Sequence, residues 1–114
     1  MTRLRLRIDF EGDRALGPGK IRLLELVAET GSISAAGRAM DMSYRRAWLL
    51  VSAMNRTFRQ PRVATREGGA GGGGASLTQF GQALAGRYRA MEAAAARAVA
   101  HDIAALEENL SREA

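Results

Sequence analysis

Residues 31–58 read GSISAAGRAMDMSYRRAWLLVSAMNRTF, and the stretch divides into two short helices joined by a tight turn. Ser34 reads as the N-cap of the first helix, Ala35 to Met40, because a serine hydroxyl can accept an otherwise unpaired amide of the first turn. Ala35, Ala36, Gly37 and Ala39 are small, which lets this helix approach a partner closely. Asp41-Met42 makes the turn and Ser43 caps the second helix. On that helix Ala47, Val51, Met54 and Phe58 recur at steps of four, three and four, so they face the core with Leu50 beside them. Tyr44, Arg45, Ser52, Asn55, Arg56 and Arg59 fall largely on other faces. A compact helix pair whose second member opens on Ser43-Tyr44-Arg45-Arg46 suits the major groove of DNA.

Working outward toward the N-terminus, residues 3–10 read RLRLRIDF. Leu4, Leu6, Ile8 and Phe10 alternate with Arg3, Arg5, Arg7 and Asp9, the period of a strand with one buried face. The arginines read as solvating the outer face, with phosphate contact as the alternative. Residues 12–19 are a turn-rich connector. Pro18 then sits in the first turn of a helix, where its missing N–H costs least. That helix runs to about Glu29 on the stripe Ile21, Leu24, Val27 and Ala28, widened by Leu23 and Leu26. Thr30-Gly31 ends it, glycine being suited to the left-handed closing conformation.

Toward the C-terminus, Pro61 breaks the recognition-type helix. Residues 62–66 are a short strand candidate, and residues 75–77 its returning partner. Between them lies GGAGGGGA, residues 68–75, six of whose eight residues are glycine. Strand, glycine loop and strand after such a helix describe a wing. The glycines either bring backbone N–H groups close to phosphate or simply form a slack loop. No GxxxxGK[ST] motif is present, which argues against a nucleotide-binding loop. Trp48 reads as packing at the edge of the core under the wing, with direct DNA contact as the alternative. Thr78 caps a last helix whose apolar residues, Phe80, Leu84, Tyr88, Met91, Ala95, Val99, Ile103, Leu106 and Leu110, recur in steps of four and three. Such a helix extends roughly 50 Å, longer than so small a domain can cover. Its distal stripe is expected to meet a second copy of the chain.

Composition fits this outline. The 114 residues allow one domain with an appended arm, and the 46% apolar fraction is enough for a core. The formal net charge of +5 favours an anionic partner, nucleic acid before membrane. There is no cysteine, which removes disulfides and thiol chemistry. No run approaches the roughly 20 apolar residues of a membrane span, and the charged N-terminus is unlike a signal peptide, so a cytoplasmic location without membrane partners is the default. The single histidine, His101, has no catalytic constellation around it, and Glu107-Glu108 has no metal-ligand set. No enzyme activity, metal or cofactor is expected.

The tracts GSISAAGRAMDMSYRRAWLLVSAMN, residues 31–55, and GGAGGGGASLTQFG, residues 68–81, resemble the N-terminal DNA-binding domain of the ModE family, the molybdate-responsive transcription regulators. Ser43-Tyr44, Ala47-Trp48 and Met54-Asn55 look like that family's recognition helix, and the glycine run into Leu77-Thr78 and Gly81 looks like its wing-to-helix junction. The resemblance implies a mainly α, winged helix-turn-helix fold related to that of LysR-type regulators, with a long C-terminal dimerisation helix. Residues 1–77 would form the winged domain and residues 78–114 the long helix and tail. Family members carry C-terminal molybdate-binding modules, whose motifs are not visible here. A molybdate response is therefore not carried over, and a stand-alone short member, a separate sensor protein, or no sensing all stay open.

The expected function is a sequence-specific transcription regulator binding double-stranded DNA as a homodimer on a palindromic site, with a nonspecific nucleoid protein as the alternative. Arg45 and Arg46 are the candidates for base-edge or phosphate contact, and Tyr44 for a thymine methyl or phosphate. Ser32, Ser34 and Ser43 stand near helix N-termini, where phosphate contact competes with plain capping. Arg62 and Arg66 flank the wing. The expected dimer interface is Tyr88, Met91, Ala95, Val99, Ile103, Leu106 and Leu110.

Overall fold

A computed structural model of the chain describes residues 2–59, 63–69 and 72–111, with residues 66–69, 72 and 73 described by their backbone alone. The elements are β1 (Ile8–Phe10), β2 (Arg14–Leu16), α1 (Pro18–Thr30), α2 (Ile33–Ala39), α3 (Tyr44–Thr57), β3 (Val63–Gly69), β4 (Gly72–Leu77) and α4 (Gln79–Glu108). Each strand pair is an antiparallel hairpin, Ile8 opposing Leu16 in the first and Val63 opposing Leu77 in the second. This is a winged helix-turn-helix, with β3 and β4 as the wing.

The first hairpin corrects the expected long N-terminal strand. β2 ends at Leu16 and Pro18 opens α1, so residues 3–7 have no strand to pair with. The turn places Gly12 and Asp13 in the left-handed region, which aspartate tolerates better than most residues. Residues 14–16, which the sequence places in the connector, are the partner strand.

α1 is the centre of the core. Ile21, Leu23, Leu24, Leu26 and Val27 are all buried on it, while Ala28 is exposed instead of joining the stripe. Gly31 closes the helix in the left-handed conformation, donating its N–H to the Val27 carbonyl at 2.8 Å. Its own carbonyl accepts the Ala75 N–H at 2.9 Å, which ties the wing to the end of α1. α2 meets α3 closely at Gly37: a methyl added there would lie 2.9 Å from the Ala47 Cβ. Ala47, Val51 and Met54 are buried, with Leu50 and Phe58 packed at their edge, and the Phe58 ring meets Phe10 edge-on at 6.1 Å.

α4 has thirty residues and ends at Glu108, with Asn109 as its C-cap, two residues short of the expected Leu110. Its buried residues, Gly81, Ala85 and Tyr88, all lie in the first third. The radius of gyration is 17.0 Å, against roughly 13 Å for a compact chain of this length. The excess reflects a helix that leaves the domain. Tyr88 belongs to the chain's own core rather than to a surface for a second copy, and it is 1% exposed. Its hydroxyl donates to the Leu6 carbonyl at 2.5 Å. Further along, the Thr2 hydroxyl donates to the Glu107 carboxylate at 2.7 Å. The N-terminal segment therefore lies alongside α4, where none of the chain was expected.

Candidate nucleic-acid interface

α3 opens on a polar cap followed at once by cations. The Ser43 hydroxyl accepts the Arg46 amide at 3.1 Å, fixing the first turn. Tyr44, Arg45 and Arg46 are exposed there, and neither arginine has an ion-pair partner among the described residues. At about 100° per residue the three side chains leave the helix in different directions. Arg45 stands opposite the buried Ala47–Val51–Met54 stripe and so points straight out. Tyr44 and Arg46 fall on opposite flanks of it.

The Tyr44 flank faces the wing. A hollow of about 230 Å³ is lined by Ser32, Ser34, Tyr44, Thr65 and Gly74. The structure therefore brings together three of the expected residues on α2 and α3 with the wing strands. Ser32, not Ser34, caps α2: its hydroxyl accepts the Ala35 amide at 3.1 Å. Ser34 lies inside the first turn and its hydroxyl accepts from Arg38 at 2.8 Å. Both serines already have a hydrogen-bond partner, as has Ser43. Arg62 lies outside the described residues, as does the side chain of Arg66, whose backbone pairs with Gly74.

Two residues on the outward face are missed or misplaced by the sequence reading. Trp48 is expected at the edge of the core, yet it is 47% exposed. It is one turn beyond Tyr44, too far round the helix to reach the core stripe. Leu49, equally exposed, is not singled out at all. Both sit beside Arg45 on the face turned away from the core, and plotting α3 on a helical wheel from Ala47 would have found them.

Asn55 positions the wing. Its side-chain amide donates to the Val63 carbonyl at 3.2 Å and its oxygen accepts the Val63 N–H at 3.1 Å. This two-point clamp joins the last turn of α3 to the first residue of β3. The helix and the wing are thus held as one surface.

The ionisable cluster of the domain lies elsewhere. Arg89 of α4 makes two hydrogen bonds to the Glu25 carboxylate of α1, at 2.8 and 2.9 Å, and a third to Glu92 at 2.8 Å. The hydrogen bonds from Arg89, reinforced by its charge and that of Arg22, hold the Glu25 carboxyl below its ordinary value against the opposing effect of burial. Burial, with Glu92 nearby, pushes the Tyr88 hydroxyl up. These contacts anchor α4 to α1 and leave the α3 cations unneutralised. Among the described residues no group of His, Asp and Glu side chains is arranged to hold a metal ion, and no helix is long and apolar enough to cross a membrane.

Helix pair, wing and exposed cationic helix start define a winged helix-turn-helix module of the kind found in regulators. No protein-family model matches the chain. Individual relatives do. It is 38% identical over 88 residues to the molybdenum transport protein ModE of Azotobacter vinelandii, covering 77% of this chain and 33% of that protein. It is 44% identical over 82 residues to the molybdenum-pterin-binding protein MopB of Rhodobacter capsulatus, 72% of this chain and 30% of that one. The DNA-binding transcriptional dual regulator ModE of Escherichia coli is 41% identical over 71 residues, 62% of this chain and 27% of that protein. The chain is a homologue of these ModE-type, molybdenum-related regulators, and spans about a third of the length of the curated relatives it matches.

Proposed function

We propose that this chain is the DNA-reading part of a cytoplasmic transcription regulator that acts as a homodimer on a palindromic site, in molybdenum-related gene control. The observation that carries the reading is the start of α3. Arg45 and Arg46 are exposed and, among the described residues, without an acidic partner, on a helix clamped to a wing by Asn55. Two such helices would enter successive major grooves about 34 Å apart. An arginine bidentate to guanine discriminates against other bases by roughly 1–3 kcal/mol. Arg45, pointing straight out, is the base reader. Ser32, Ser34 and Tyr44 line the hollow beside the wing, where the sugar-phosphate backbone would pass. The molybdenum connection rests on the names of the relatives.

The second copy would meet α4 beyond Tyr88. Met91, Leu106 and Leu110 are 41%, 70% and 68% exposed, and Ala95, Val99 and Ile103 are half-buried on the same stripe. Supercoiled pairing of two such stripes removes this surface from water. Duplexes selected from a random pool supply the test. They should share a palindromic motif, and Arg45→Ala should reduce its advantage over scrambled duplex by at least tenfold. Recovery of duplexes without a shared motif, bound with a steep salt dependence, would overturn this in favour of a nonspecific architectural protein.

A further inference from the structure

On the flank of α3 opposite the wing lies an open groove of about 660 Å³. Arg46 forms one side, and Arg5, Arg7 and Lys20 the other, over a floor that includes Met42 and Leu50. Among the described residues no acidic side chain lines it. Arg5 and Arg46 have no ion-pair partner among those residues. Arg7 is paired with Asp9 at 2.8 Å, but both side chains are largely exposed, so the pair is weak and readily exchanged for another anion. Lys20 donates one N–H to the Ala15 carbonyl at 2.8 Å and keeps its remaining ammonium protons available.

We infer that this groove is a second backbone-binding surface, in which Arg5, Arg7 and Lys20 neutralise phosphates of the duplex flanking the bases read by α3. The inference rests on the proposed DNA reading and extends it to residues outside the helix-turn-helix and wing. Three features point to a nucleic-acid strand. The groove begins at Arg46, on the first turn of the recognition helix, so a strand leaving the major groove there passes directly into it. Its cations come from two separate parts of the chain, the N-terminal segment and the first turn of α1, and converge on one hollow. Its floor is apolar, suited to the hydrophobic edge of a sugar. Such contacts position the duplex and carry no sequence information.

The test compares the full chain with the R5A/R7A/K20A variant on a selected duplex and on its scrambled counterpart, between about 50 and 200 mM salt. Each phosphate neutralised contributes about 0.9 to the slope of log affinity against log salt. Removing three should lower the slope by about 2.7, so the advantage of the parent chain should shrink by roughly 40-fold across that range. The ratio of selected to scrambled affinity should stay within about twofold, since the groove touches phosphate rather than bases. R5K/R7K/K20R keeps the charges and should restore the slope. R5A alone removes a side chain with no ion-pair partner among the described residues, so it should leave the domain folded, and it should lower the slope by about 0.9. Unchanged slopes in a parent chain that binds the selected duplex would overturn the groove and leave the DNA reading standing. Collapse of the selected-to-scrambled ratio would also overturn it, because the groove would then be reading bases. Absence of any duplex binding by the parent chain would overturn both.

Discussion

Gly37→Ala is a small change on which the helix-turn-helix geometry makes a definite claim. The added methyl would stand 2.9 Å from the Ala47 Cβ and 3.5 Å from both the Met42 Cγ and the Met42 carbonyl oxygen. Carbon atoms rest at about 3.5–4.0 Å, so the Ala47 contact is short by roughly 0.6–1 Å. Ala47 is fully buried and its Cβ is fixed to the backbone, so no rotamer relieves the overlap. α3 must move away from α2. Overpacking of this kind costs about 1–3 kcal/mol, against a gain of at most about 1 kcal/mol from replacing glycine within a helix. The net expectation is a loss of about 1 kcal/mol, a fall of roughly 4–8 °C in midpoint, read by circular dichroism at fixed protein concentration. Ala47→Gly removes the obstructing atom, so the double variant should be more stable than the two single effects predict, by about 1 kcal/mol. A Gly37→Ala midpoint at or above that of the parent chain, or strict additivity in the cycle, would refute the close-approach reasoning.

Asn55→Ala should cost about 2 kcal/mol, because it removes two hydrogen bonds and strands the N–H of buried Val63; faster hydrogen exchange at that amide, with the centre of α3 still protected, would locate the effect in the wing. Ser32→Ala should cost about 1 kcal/mol in thermal or urea denaturation, and Ser34→Ala no more than about 0.5 kcal/mol; the reverse order would refute the assignment of Ser32 as the cap. Glu25 has its native carboxyl below the unfolded value, so its contribution is present above about pH 4.3 and is lost as the pH falls through the native value. Glu25→Gln should therefore be less stable than the parent chain at pH 7, by roughly 1 kcal/mol after discounting for the partly exposed Arg89, and the gap should close in melts taken from pH 5 down to pH 2.

What can be read from the chain is what repeats locally. The buried stripe of α3 follows from helical spacing, and Pro18 and Gly31 mark the limits of α1 because each residue is suited to one end of a helix. The glycine run reads as a loop, yet β3 and β4 extend well into it, since backbone pairing needs no side chains. The expected cap of α2 is two residues off because Ser32 and Ser34 are chemically equivalent and only the start of the helix distinguishes them. Other features depend on partners distant in sequence. Asn55 is an ordinary polar residue until Val63 lies beside it. Arg89 and Glu25 are 64 residues apart. The apolar stripe of α4 runs without a break past the point where the domain ends, so periodicity alone cannot assign Tyr88 to the core and Met91 to the protruding part.

The N-terminal segment shows how a correct pattern can accompany a wrong element. Alternation in RLRLRIDF predicts a strand, and most of it has no strand to pair with. Its two sides are nevertheless used differently. Leu4 and Leu6 are half-buried, and Leu6 packs against the core. Arg5 and Arg7 are exposed at the groove beside α3. Period-two alternation reports an extended backbone lying across an apolar surface, and a hydrogen-bonded ladder is only one way to hold it there. Here the hold comes from α4, through the Tyr88 hydroxyl on the Leu6 carbonyl and the Glu107 carboxylate on Thr2. The helix proposed to join two copies thereby also supports the arm that carries Arg5 and Arg7. A change that repositions α4 would move those two arginines relative to α3, which couples the proposed dimer geometry to the proposed grip on the flanking duplex.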